Sequence, residues 1–132
     1  MAADLPNPLQ LREIKYGTKA THAERAKIAH AYLASGRTAE ALELFLLAGD
    51  EEGVRRVRAL AVEEGRPILL LALERAGRPC AAEEWKRTGD AAFAAGRWRE
   101  AFRAYARAGD DEALQRVKEK IPDYEIYTPR GK

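Results

Sequence analysis

The stretches ALELFLLAGDEEGVRRV, residues 41–57, and AFRAYARAGDDEALQRV, residues 101–117, lie sixty residues apart and carry AGD in the same place. Extending the comparison to 31–57 against 91–117, without gaps, matches Ala31, Ala34, Gly36, Arg37, Glu40, Ala41, Ala48, Gly49, Asp50, Glu52, Arg56 and Val57 to identical residues, 12 of 27 positions. Leu33 exchanges with Phe93, Leu42 with Phe102, Phe45 with Tyr105 and Val54 with Leu114, each keeping its apolar character. A chain of 132 residues that writes one sentence twice is a repeat protein.

The pattern inside each copy is helical. Ala41, Leu42, Phe45 and Ala48 recur at three and four residues, as do Ala101, Phe102, Tyr105 and Ala108, which gives each helix one apolar stripe. Thr21 with Glu24 has the form of a capping box, and Thr38 is placed to cap the helix after the Gly36 turn. In AGD the Ala is the last packed residue of a helix, the Gly is its left-handed stop and the Asp caps the next helix. So short a hinge forces antiparallel neighbours. Pro67 and Pro79 stand where helices are expected to begin. The spacing predicts seven helices, roughly 21–35, 38–48, 50–64, 67–76, 80–95, 98–108 and 110–121. They make about three helical hairpins and a C-terminal capping helix, with the middle hairpin the most degenerate. The expected boundaries are an extended or short-helical arm over 1–20, the repeat domain over 21–121 and a tail over 122–132.

These residues resemble the tetratricopeptide repeat (TPR). Trp85, Gly89, Gly96, Trp98, Glu100, Ala101, Tyr105 and Ala108 in the third hairpin, and Ala29, Tyr32, Gly36, Glu40, Ala41, Phe45 and Ala48 in the first, stand at that family's spacing of large, small and aromatic positions. The likeness covers about 21–121. It departs from the family in its period of 28–32 residues rather than 34, and in Gly-Asp where the family has proline. The resemblance implies an all-α fold, a TPR-like right-handed α-solenoid, and a groove that binds a peptide or partner segment.

Carried onto this chain, the groove positions are Lys27, His30, Leu33 and Ala34 in the first hairpin and Lys86, Arg87, Asp90, Phe93 and Ala94 in the third. The carboxylate clamp of some family members needs Asn where this chain has His30 and Asp90, so the clamp is broken, although Lys27, Lys86 and Arg87 can still meet an acidic ligand. A competing reading makes Leu33 and Phe93 packing between repeats.

The bulk composition narrows the function classes. With 46% hydrophobic and 33% charged residues the chain can bury a core and stay hydrated. A net charge of +2 is too small to argue for nucleic acid, so that reading rests on local clusters: Arg55, Arg56 and Arg58, and Arg97, Arg99, Arg103 and Arg107. The competing reading is a solvated outer face. The single cysteine, Cys80, permits no disulfide within the chain and fits a reducing compartment. Cys80 follows Pro79 at an expected helix start, but with no histidine near it in sequence it reads as an unreactive thiol. His22 and His30, eight residues apart, are badly spaced for a shared metal. No zinc-protease, paired-cysteine or phosphate-loop motif is present. The expectation is no enzyme, no metal and no cofactor.

The first ten residues carry no signal-peptide pattern, and the longest apolar run, Ile68–Leu73, is too short for a bilayer. Both flanks are rich in apolar and aromatic residues, Leu9, Leu11, Ile14 and Tyr16 before the repeats and Tyr124, Ile126 and Tyr127 after them. They read either as covers for the ends of the array or as docking segments for a partner or a second copy. The expected protein is a non-catalytic interaction module or adaptor in a bacterial cytoplasmic assembly. The alternative is a nucleic-acid-associated protein using its arginine patches.

Overall fold

Eight α-helices and no strand make up the described residues of the computed structural model, which are 5–17 and 21–122. In order they are α1 (Pro8–Tyr16), α2 (His22–Ala34), α3 (Thr38–Ala48), α4 (Glu51–Glu64), α5 (Pro67–Arg75), α6 (Ala82–Ala94), α7 (Trp98–Ala108) and α8 (Asp111–Lys120). The all-α expectation holds, and the seven expected helices are α2–α8, with no end shifted by more than two residues. The additional helix, α1, forms inside the expected arm. Its start is a reciprocal cap: the Gln10 amide donates to Asn7 Oδ1 at 2.8 Å and the Asn7 amide to Gln10 Oε1 at 2.9 Å. The expected tail, except for Pro122, lies outside the described residues, as do Tyr124, Ile126 and Tyr127.

The AGD hinge folds as the sequence predicts. Gly49 and Gly109 have φ of 67° and 72°, the left-handed conformation that glycine takes without a Cβ penalty. The next amide closes the turn, Asp50 donating to the Phe45 carbonyl and Asp110 to the Tyr105 carbonyl. Each aspartate then caps the following helix, Asp50 Oδ1 accepting from Gly53 and Asp110 Oδ1 from Ala113, both at 3.1 Å. Two other capping expectations change. Thr38 is the first residue of α3 and Arg37 stands at the cap without a side-chain cap bond. The Thr21 hydroxyl does accept from the Glu24 amide, but the Glu24 carboxylate takes a bond from that hydroxyl instead of the backbone.

Packing divides the chain into two units, 1–59 and 60–132. In the first, the α2–α3 hairpin buries Ala29, Tyr32, Ala41, Leu42, Leu44 and Phe45. In the second, the α6–α7 hairpin buries Trp85, Thr88, Ala92, Ala101, Ala104 and Tyr105, and α8 adds Ala113 and Val117. Burial of a large apolar side chain is worth about 1.5–3 kcal/mol, so these rows outweigh helix propensity.

The match between the two copies is wider than residues 31–57. Helix α1 is bonded to its hairpin, and α5 to the other. Arg25 of α2 donates to the Ile14 carbonyl at 2.7 Å and the Gly17 carbonyl at 3.2 Å, and Lys15 pairs with Glu43 of α3 at 2.5 Å. At the position matching Arg25, Trp85 of α6 donates Nε1–H to Glu74 of α5 at 3.3 Å, and Arg107 of α7 pairs with the same carboxylate. Setting α1 on α5 places Pro8 on Pro67, Leu9 on Ile68, Leu11 on Leu70 and Ile14 on Leu73. The order α1–α4 thus parallels α5–α8 along the sequence.

Candidate functional site

Four of the nine predicted groove residues lie on α2 and five on α6. On α2, Lys27, His30 and Leu33 are spaced by three and share one stripe. Lys27 and His30 are exposed and Leu33 is half-buried. His30 Nε2 lies 3.7 Å from Asp50 Oδ2, and its ring meets Phe45 edge-on at 4.9 Å. The histidine thus covers the aromatic core residue while its outer edge stays in solvent.

On α6 the matching stripe is organised differently. Asp90 replaces His30, and it accepts a hydrogen bond from the Tyr105 hydroxyl at 2.6 Å. Lys86 Nζ lies between two carboxylates, 3.8 Å from Asp90 and 3.5 Å from Asp110. Burial, and after it the bond to Asp90, pushes the Tyr105 hydroxyl up to about 12. The Ala113 amide, donating to Asp110, holds that carboxyl below the usual carboxylate range, and Lys86 acts in the same direction. Arg87 is exposed beside this network.

Lys86 is therefore already committed to two carboxylates, so it is poorly placed to receive an acidic ligand. It lines an open cavity of about 410 Å³ with Glu83, Asp110, Asp111 and Glu112. Four carboxylates around one ammonium give this cavity a negative balance. Asp110 and Tyr105 were not among the predicted site residues. The signal that points to them is a paired change: His30 becomes Asp90 where Phe45 becomes Tyr105, so a carboxylate and a hydroxyl arrive together.

Phe93 meets Trp98 edge-on at 5.0 Å and packs on the cluster of Ala92, Ala101, Tyr105, Ala113 and Val117. Its packing role is thus real, whereas Lys86, Arg87 and Asp90 carry the accessible chemistry of α6. Cys80 precedes α6 by two residues and directs its thiol to the Leu70 and Arg78 carbonyls at 3.6 and 3.8 Å. It is not in the first turn of the helix, contrary to the expected start at residue 80.

The arginine clusters are partly spent on structure. Arg107 pairs with Glu74 and lies 5.0 Å over the Trp85 ring. Arg97 donates to the Gly65 carbonyl at 2.9 Å, to the Glu64 carbonyl and to Glu100, closing the C-terminal end of α4. Arg55 pairs with Glu52 at 2.6 Å. Arg55, Arg56, Arg99 and Arg103 are all exposed. No helix among the described residues is long and apolar enough to cross a membrane. No family model matches this chain, and neither a curated protein nor a solved structure is significantly similar to it.

Proposed function

We propose that the chain is a non-catalytic protein-interaction module of the TPR-like, helical-hairpin solenoid class, an adaptor in a bacterial cytoplasmic assembly, with a recognition stripe on α2 and another on α6. The observation that carries this reading is where the two copies agree and where they differ. Shared positions such as Ala41 and Ala101 are buried, whereas Lys27 and Arg87, His30 and Asp90 are exposed. A repeat that keeps the apolar or small character of its packing positions and varies one exposed stripe has the design of a recognition surface on a constant scaffold. The negative balance around Lys86 favours a partner segment that brings lysine or arginine to α6, in place of the acidic ligand that the sequence suggests.

The test is capture from a lysate of the source cells with the purified chain as bait, repeated with Lys27→Glu plus Arg87→Glu. Both residues are exposed, so the helical circular-dichroism spectrum should not change. Loss of one captured protein, with the spectrum intact, supports the reading. Identical capture by wild type and variant overturns it.

A further inference from the structure

Helix α1 has no fully buried residue, and its Leu9 and Tyr16 are 79% and 68% exposed. Leu11 and Ile14 are half-buried. On α5, the helix that matches it in sequence, Leu70 and Leu73 are 0% exposed. At nine residues α1 is also shorter than the roughly 12–15 that hold a helix in water, so it keeps its form only while docked.

What holds α1 is polar and gathers at its C-terminal end. Arg25 of α2 donates Nε–H to the Ile14 carbonyl and Nη2–H to the Gly17 carbonyl. The last carbonyls of a helix have no partner within it, so Arg25 meets a feature that every helix C-terminus offers. Glu43 of α3 meets side chains instead. Its Oε1 accepts from Lys15 Nζ at 2.5 Å and its Oε2 from the Tyr16 hydroxyl at 3.3 Å. A cation in the last turn also suits the negative end of the helix dipole. Arg25 thus recognises that a helix ends here, and Glu43 that it ends on a basic residue followed by tyrosine. At the matching positions the second copy has Trp85 and Arg103, so this pair belongs to the first copy alone.

We propose that Arg25 and Glu43 form a docking seat for the last turn of a short helix, and that α1 is a strap which yields this seat to a partner helix ending on lysine or arginine followed by tyrosine. The occupant's chemistry is read from α1 itself, and neither contact requires the helix to belong to the same chain. The seat is distinct from the recognition stripe on α2 and does not rest on the function proposed above. Arg25 and Lys27 are two residues apart, about 200° around the helix axis, so both surfaces can be occupied together.

The probe is a fluorescently labelled, amidated peptide of residues 5–17, titrated with the full chain. In the wild type α1 competes from within the chain, where its effective concentration is high. Ile14→Glu weakens α1 and leaves both Arg25 and Glu43 in place, so the peptide should bind this variant about tenfold or more tightly than wild type. Adding Glu43→Lys should abolish the gain, and a peptide carrying Lys15→Glu should recover part of it, which an unfolded hairpin would not allow. Equal binding by wild type and Ile14→Glu, or no binding to either at about 500 µM, overturns the proposal. A gain that survives Glu43→Lys overturns it too. So does a wild-type dimer that Glu43→Lys abolishes, because a second copy would then be the occupant. Hydrogen exchange on the wild-type chain tests the strap without any variant: α1 amides should exchange about a hundredfold or more faster than those of α3. Equal protection of the two helices overturns it.

Discussion

Phe45 and Tyr105 sit at the same place in the two matching hairpins, and their surroundings have been rewritten as a set. Around Phe45 stand His30, edge-on to the ring, and Gly53, whose backbone lies so close that an added Cβ would fall 2.2 Å from the ring. Around Tyr105 stand Asp90, bonded to its hydroxyl, and Gly89, where an added Cβ would fall 2.6 Å from the ring. The glycine has changed helix: the first copy has Ala29 where the second has Gly89, and the second has Ala113 where the first has Gly53. Each copy gives its aromatic ring one glycine seat, on opposite sides. Close packing leaves room for one such seat per ring, and the polar partner outside then follows from whether the ring carries a hydroxyl.

The comparison is broken most severely by removing the rings. Phe45→Ala and Tyr105→Ala should each cost about 3–5 kcal/mol in urea unfolding, since both side chains are fully buried. A loss below about 1 kcal/mol at either site would show that its ring is not a core residue. The glycine exchange comes next. Gly89→Ala should destabilise by about 1–3 kcal/mol through overpacking against Tyr105. Adding Ala113→Gly should restore part of that loss, because the double variant carries the seat arrangement of the first copy. Strict additivity of the two changes would mean that they do not share the ring.

Arg97 and Arg37 offer a smaller contrast. Arg97 closes two carbonyls at the end of α4, whereas Arg37 pairs with Glu40 at 2.9 Å and lies 5.0 Å over the Tyr32 ring. Arg97→Ala should cost about 1–2 kcal/mol, and Arg37→Ala about 0.5 kcal/mol. Equal costs would place the value of Arg97 in its surface pair with Glu100 and not in the helix end.

The smallest effect is pH-dependent. Tyr105 ionises at about 12 in the folded chain against its ordinary 10.0. The folded state holds this proton more tightly than the unfolded state. Its contribution to stability is therefore complete below pH 10 and lost as pH rises from 10 towards 12. Tyr105→Phe should cost about 1 kcal/mol at pH 8, and the gap to wild type should narrow by pH 11.5. A gap that is constant across this range would contradict the Tyr105–Asp90 bond.

Much of the scaffold was legible from local pattern. The stripe of Ala41, Leu42, Phe45 and Ala48 and the Gly-Asp hinge are set by residues within one turn of each other, and they fold as read. Helix α1 was harder to read because its apolar residues form no buried stripe. It is held from outside, by Arg25 on its last carbonyls and by Glu43 on Lys15, and only the Asn7–Gln10 cap announces it locally. The stripes on α2 and α6 follow from helical spacing. Their chemistry does not, because Lys86 meets Asp110 and Asp90 meets Tyr105 across a hairpin, 24 and 15 residues away. Phe93 shows the same limit, since only its contact with Trp98 separates packing from recognition.

The central claim is that shared positions hold the fold while the differing exposed positions recognise the partner. The most direct measurement gives α6 the stripe of α2, as Lys86→Ala, Arg87→Lys and Asp90→His together, and records both the unfolding midpoint and quantitative partner capture. The account predicts that the loss of stability stays near the 1 kcal/mol of the Tyr105 bond, while capture of at least one partner falls tenfold or more. Undiminished capture by a folded triple variant would contradict it.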